Sequence, residues 1–236
     1  MSGHSKWAQI KRTKGAADVK KGALFSKLSK QITIAAKNGT NPDTNFKLRL
    51  AILKARENAM PNDNIDRAIK KASGAEAGNI HTLQYEGYGP AGTAFIVEAA
   101  SDNPNRTFQN MRTIFTKNGG NIGQPGSVAW QFQTKGQILV ERTEDLTNME
   151  LTAIDAGADD VRESTEGLEI YTKPEDLEKI KNLLKEKGAK IAQAEIIMES
   201  SQGVDLTPEQ IPAVHKLFDA LADDEDVVAV HTSANL

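Results

Sequence analysis

KGQILVERTEDLTNMELTAIDAGADDVRESTEGLEIYTKPEDLEKIKNLLKEKGAKIAQAEIIME, residues 135–199, is the stretch on which the fold turns. Its apolar residues change period in a regular order. Strand 136–142, helix 146–156, strand 159–164, strand 168–173, helix 174–187 and strand 190–198 make a βαββαβ series, the order of a ferredoxin-like unit with helices on one face of an antiparallel sheet. On its N-terminal side, His81 to Glu86 and Ala91 to Ala100 read as strands joined by a turn at Gly87-Tyr88-Gly89-Pro90. A helix from Pro104 to Lys117 follows, packing Phe108, Met111, Ile114 and Phe115 inward. The loop Gly119 to Gly126 then leads into a strand from Ser127 to Phe132. On the C-terminal side, Pro208 opens a helix that buries Ile211, Val214, Leu217, Phe218 and Leu221, and Val227 to His231 supplies a last strand. The flanking ββαβ and αβ pieces most simply form one domain, residues 79–133 with 200–236, into which the ferredoxin-like unit 134–199 is inserted.

Residues 1–75 read differently. From about residue 18, Leu24, Leu28, Gln31, Ile32 and Ala35 recur at three- and four-residue spacings as one buried stripe. Lys20, Lys27, Lys30 and Lys37 fall on the same helix within an arc of about 100°, a cationic face beside the apolar one. Gly39-Thr40-Asn41-Pro42 ends that helix. A second helix, 44–58, buries Leu48, Ala51, Ile52 and Ala55 and exposes Lys47, Arg49, Lys54 and Arg56. Met60 to Asn64 reads as a turn before a short helix with Ile65, Ala68, Ile69 and Ala72 inward. Ahead of all three lies an arm, residues 1–22, with Lys6, Lys11, Arg12, Lys14, Lys20, Lys21 and a lone aromatic, Trp7. It has too little apolar surface to fold alone, and its composition predicts a mobile segment that orders on docking. The fold class is therefore α+β, with an N-terminal basic three-helix domain followed by two α+β domains, one ferredoxin-like and inserted in the other.

The chain has 236 residues and a formal net charge of −3. That figure averages two opposite regions: residues 1–75 hold 16 Lys and Arg against 5 Asp and Glu, about +11, and the remainder is about −14. Charge separated in this way points to a cationic module aimed at a polyanion. No cysteine is present, which excludes disulfides, thiolate metal sites and a cysteine nucleophile. The apolar runs are too short to span a bilayer and the first residues lack a secretory core, so a cytoplasmic protein without a membrane partner is expected.

Catalytic chemistry finds no motif. His4, His81, His215 and His231 are scattered, the Gly119–Gly126 loop lacks the Gly-Lys-Ser/Thr ending of a nucleotide cradle, and no Ser sits in a nucleophile elbow. Asp223-Asp224-Glu225-Asp226 reads as a solvated helix end. The expectation is a protein that is not an enzyme and needs no metal or cofactor. Ser101-Asp102-Asn103-Pro104-Asn105-Arg106-Thr107 puts polar side chains at a helix start, where Asp102 or Asn103 can cap and Arg106 can either form an internal ion pair or meet an anionic partner. No short turn followed by a base-reading helix is evident, so the cations suit phosphates, which position without specifying sequence.

These residues resemble the YebC/PmpR family. The resemblance rests on Gly3-His4-Ser5-Lys6-Trp7-Ala8-Gln9-Ile10-Lys11, Asn58-Ala59-Met60-Pro61-Asn62-Asp63-Asn64-Ile65, Tyr85-Glu86-Gly87-Tyr88-Gly89-Pro90, Asp102 to Thr107, and Gly119-Gly120-Asn121-Ile122-Gly123 leading to Gly126-Ser127-Val128. Gly39-Thr40 departs from the family's Gly-Gly. The resemblance implies three domains and a cytoplasmic regulator, described for most members as DNA-binding and transcriptional and for others as a ribosome-associated translation factor that relieves difficult sequences such as proline runs. DNA is the expected partner, with ribosomal RNA and the ribosome as the alternative; the oligomeric state stays open. The expected nucleic-acid contacts are Lys6, Trp7, Lys11, Arg12, Lys14, Lys20, Lys21, Lys27, Lys30, Arg49, Lys54 and Arg106.

Overall fold

The structure is a computed structural model and describes residues 21–73, 80–143 and 145–235. Three helices come first: α1 (Lys21–Ala36), α2 (Phe46–Glu57) and α3 (Asn62–Ser73). Their core is Leu28, Ile32, Ala36, Leu48, Ile52, Ala55, Met60, Ile65, Ala68 and Ala72, a spacing that follows the three- and four-residue periodicity of each helix. Leu24, expected in the stripe, is more than a third exposed. The Asn45 side chain fixes the first corner: it accepts from the Leu48 amide at 3.1 Å as an N-cap and donates to the carbonyls of Ala35 and Gly39, each at 2.7 Å. The Thr33 hydroxyl donates to the Ala68 carbonyl at 3.0 Å, tying α1 to α3.

A four-stranded antiparallel sheet follows, in the order β3-β1-β2-β8, from β1 (His81–Tyr88), β2 (Ala94–Ser101), β3 (Asn121–Ile122) and β8 (Val227–Thr232). Helix α4 (Pro104–Lys117) packs on β1, and α7 (Ile211–Asp223) on β8. The Phe115 ring of α4 meets the Phe95 ring of β2 edge-on at 6.1 Å. On α4 the fourth inward position is Thr107, which is fully buried, whereas Phe108 is 39% exposed. Glycines allow β3 to approach β1: a Cβ on Gly87 would lie 2.6 Å from the Asn121 carbonyl oxygen, and one on Gly120 2.6 Å from that of Tyr88.

Two local expectations are corrected. The first hairpin does not turn at Gly87; β1 runs on to Tyr88 and the chain reverses through Pro90-Ala91-Gly92. Nor is there a strand over Ser127–Phe132. Residues 129–131 form a single tight helical turn and β4 (Phe132–Glu141) starts only at Phe132. The cause is Glu86, 7% exposed, whose carboxylate accepts from the amides of Gly126 at 2.7 Å and of Val128 and Ala129 at 2.8 Å. Amides committed to a side chain are lost to a strand ladder.

The chain divides into two compact units: residues 132–201, and the described residues before 132 together with 202–235. The three-helix bundle and the interrupted sheet domain therefore belong to one unit. The inserted unit contains β4, α5 (Leu146–Asp155), β5 (Asp160–Ser164), β6 (Gly167–Thr172), α6 (Leu177–Glu186) and β7 (Ile191–Ser200). Its sheet order is β5-β6-β4-β7, antiparallel throughout, which is the ferredoxin-like arrangement. Ile138, Val140, Leu168 and Ile170 from the sheet are buried, as are Met149, Ala153, Ile180 and Leu184 from α5 and α6.

Candidate nucleic-acid interface

The bundle presents its cations in two sets. The first is the described part of the arc expected on α1, Lys27, Lys30 and Lys37, and it faces protein. Lys27 donates to the carbonyl of Ala222 in the last turn of α7. Lys30 donates to the Glu225 carbonyl at 2.7 Å and to Asp226 Oδ1 at 2.9 Å. Gln31 and Lys37 donate to the carbonyls of Val228 and Ile80. Helix α1 thus lies against β8 and β2. The placement follows from electrostatics, since a helix C-terminus carries partial negative charge and the acids after α7 add full charges. Gln31, assigned to the apolar stripe, belongs instead to this polar contact.

Asp226 is the hub of that contact. Its side chain is only 3% exposed, and it accepts from Lys30, from Thr107 Oγ1 at 2.8 Å, from Ser101 Oγ at 3.1 Å and from Arg106 at 3.1 Å. Burial by itself would raise its pKa. The hydrogen bonds from Lys30, Thr107 and Arg106, with the Lys30 charge, outweigh burial and hold the carboxyl down to about 2. The acidic run is therefore more than a solvated helix end: its last member is a buried acceptor for groups from two helices and a strand. Sequence reasoning missed this role. The available signal was position, because Asp226 directly precedes the apolar Val227-Val228 of β8.

Arg106 reaches this hub from the first turn of α4, where the Asn103 side chain caps the Arg106 amide at 3.1 Å. It also pairs with Asp102 at 3.3 Å and keeps a side chain 46% exposed. Lys30, Lys71, His81, Asp102, Arg106 and Asp226 line a cleft of about 750 Å³. Arg106 is thus both an internal ion-pair partner, as capping geometry allows, and a cation open to the cleft.

The second set is exposed to solvent, with Lys47 also close enough to Glu98 of β2 to act on its charge. Lys47 and Arg56 on α2, and Arg67 and Lys70 on α3, are exposed. Arg49 is half-buried, donating to the carbonyls of Pro42 at 3.1 Å and Asp43 at 3.3 Å with its guanidinium 5.6 Å from the Phe46 ring centre. Lys54 is also half-buried. Arg67 and Lys70 were not among the expected contacts, although Ile65, Ala68 and Ile69 facing inward leave them on the opposite side of α3. Lys21 opens α1; Lys6, Trp7, Lys11, Arg12, Lys14 and Lys20 lie outside the described residues.

The turn read over Met60 to Asn64 is present as a short connection between α2 and α3, set slightly earlier in the chain. Helix α3 begins at Asn62, so only residues 58–61 separate it from α2, with Ala59 at φ 56° making the tight reversal. That is the length of a helix-turn-helix connection. The charge on α3 runs the wrong way for a groove-reading N-terminus, however: Asp63 and Asp66 come first and Arg67, Lys70 and Lys71 last. Carboxylates entering a groove first would meet phosphates on both sides. Among the described residues, no helix is long and apolar enough to cross a membrane.

Comparison with known proteins covers almost all of the chain. A family model described as the TACO1/YebC protein N-terminal domain matches residues 5–75, and one described as the TACO1/YebC second and third domain matches residues 80–234. A Clostridium tetani protein named "Probable transcriptional regulatory protein" is 46% identical, over 99% of this chain and 97% of its own. A Bacillus licheniformis protein with the same designation is 47% identical over the full length of both chains. The crystal structure of a conserved hypothetical protein from Aquifex aeolicus superposes with a TM-score of 0.81 at 39% identity, covering 92% of this chain and 91% of that one.

Proposed function

This chain belongs to the TACO1/YebC family, and from that premise we propose that it is a cytoplasmic nucleic-acid-binding gene regulator, acting as a DNA-binding transcriptional regulator. The observation that carries the reading is the outward cationic surface of the bundle. Lys47, Arg56, Arg67 and Lys70 stand exposed on two consecutive helices, and the arm ahead of them adds Lys6, Lys11, Arg12 and Lys14. The designation "transcriptional regulatory protein" carried by the Clostridium and Bacillus relatives supports the same reading. Recognition runs through phosphates and duplex shape rather than base edges, because the first turns of α3 are acidic. The reading involves no catalytic step and no cofactor.

A second reading is favoured by that same acidic α3 start. A surface that holds phosphates without entering a groove also suits A-form RNA, which proteins recognise mainly by shape and backbone. In this reading the chain is a ribosome-associated translation factor bound to ribosomal RNA. Crosslinking in cells, with sequencing of bound DNA and bound RNA from the same sample, separates the two. Promoter enrichment without ribosomal RNA supports the first; enrichment of ribosomal RNA without promoters supports the second and overturns the first.

A further inference from the structure

The bundle's apolar core is self-contained. Every member of that cluster lies between Leu28 and Ala72, and the partly buried apolar residues packed on it, Phe25, Ala35, Ala51 and Ile69, come from the bundle too. Among the described residues, α1 is tied to the sheet domain by the bonds from Lys27, Lys30, Gln31 and Lys37 to oxygens of residues 222, 225, 226, 228 and 80. An apolar seam would hold in any salt, whereas contacts built on partly exposed charges weaken as they are screened.

The segment these cations engage is chemically a short polyanion. Asp223-Asp224-Glu225-Asp226 sets four acids in the turn from α7 to β8, and the last carbonyls of α7 add their own negative end. Lys27 and Lys30 from the bundle and Arg106 from α4 converge on it. Carbonyl and carboxylate oxygens hold these ammonium and guanidinium groups in the way phosphate oxygens do. The cations are reachable without unfolding anything: the Lys30 side chain is 26% exposed and that of Arg106 46%, and both line the open cleft.

We propose that the acidic turn 223–226 is an internal competitor for nucleic acid, occupying a second phosphate-binding surface made of Lys27, Lys30 and Arg106. A nucleic-acid backbone that takes these cations displaces the turn and releases α1 from the sheet domain. The inference rests on the nucleic-acid-binding reading and adds its regulation. It also assigns the opposed charges of the two regions a joint role, since the acids set the threshold that a ligand must exceed.

The test uses the full chain with fluorescein-labelled duplex DNA and single-stranded RNA oligonucleotides. Two variants are compared: Asp226→Asn, which removes the buried negative charge, and Asp223→Asn with Glu225→Gln, which removes exposed charge and leaves the hub intact. Both are expected to bind at least ~3-fold tighter, with the log–log salt slope steeper by roughly 0.7–0.9 for each additional phosphate engaged. Adding Lys27→Ala and Lys30→Ala to either variant should abolish the increase. In the wild-type chain, saturating oligonucleotide should speed hydrogen exchange at the amides of Asp226 and Val227, which bond within the turn. Wild-type binding with unchanged affinity and slope in both variants, and unchanged exchange, overturns the competitor alone. A wild-type chain that binds neither oligonucleotide overturns the nucleic-acid reading as well.

Discussion

Replacing Asp226 by Ala deprives the buried hydroxyls of Ser101 and Thr107, and the cations of Lys30 and Arg106, of their shared acceptor. Unsatisfied buried polar groups cost about 1–3 kcal/mol, and a loss of that size is expected in urea unfolding. The carboxyl also makes stability depend on pH. Its pKa falls from an ordinary 3.8 to about 2 on folding, so its contribution is complete above 3.8 and is lost as the pH drops through 2. Urea midpoints measured at about pH 5 and about pH 2.5 should therefore fall further in the wild type than in Asp226→Asn. Glu86 is the second such residue. Glu86→Ala orphans three amides at Gly126, Val128 and Ala129 and should cost about 2–3 kcal/mol, read in the same experiment. Neither role was legible in the sequence. Thr107, Arg106, Ser101 and Lys30 lie 119 to 196 positions from Asp226, and no local period encodes a partner that distant.

Elements were far more legible than their contacts. Helix α4 spans Pro104–Lys117 as its periodicity and Asn103-Pro104 start require, because capping and repeat are local properties. The βαββαβ order survives in full, for the same reason. What failed locally was Ser127–Phe132, where a buried side chain from another strand took the amides, and the lysine arc of α1, whose geometry was right and whose neighbour was not foreseen. Helix α3 carries the sharpest functional test. Arg67→Ala with Lys70→Ala removes two exposed cations without touching the core, so thermal stability should hold within about 0.5 kcal/mol. Oligonucleotide affinity should drop and the salt slope should fall by roughly 1.4–1.8, the value for two phosphates. In the inserted unit, Gly167 has φ +150° and a Cβ there would sit 1.9 Å from the Val140 carbonyl oxygen. Gly167→Ala should accordingly disrupt the β4–β6 pairing, seen as lost amide protection over residues 167–172, with the three-helix bundle unaffected.

At the scale of the whole molecule, charge and connectivity are organised separately. The cationic three-helix bundle meets the acidic turn after α7 inside one compact unit, while about half of the −14, some −7, lies in the inserted unit with its own sheet and core. Replacing Lys6, Lys11, Arg12 and Lys14 together by Ala should weaken oligonucleotide binding and lower the salt slope by about 0.7–0.9 for each phosphate no longer engaged; an unchanged slope would remove the arm from the interface. Net charge near zero concealed this arrangement, and the regional count exposed it, although only the folded contacts reveal that part of the positive surface is already occupied.

The insertion also sets a timetable. Strand β2 ends at Ser101, yet its partner β8 spans Val227–Thr232, on the far side of the entire inserted unit. At about 5–20 residues per second, a ribosome needs roughly 7–26 s to make the chain between them. Through that interval the nascent sheet has one strand edge with neither its partner nor the acidic turn in existence, while the ferredoxin-like unit can already close. The newborn bundle therefore passes its first seconds with the α1 lysines uncovered, and acquires its internal anion only once residues 223–226 have been made.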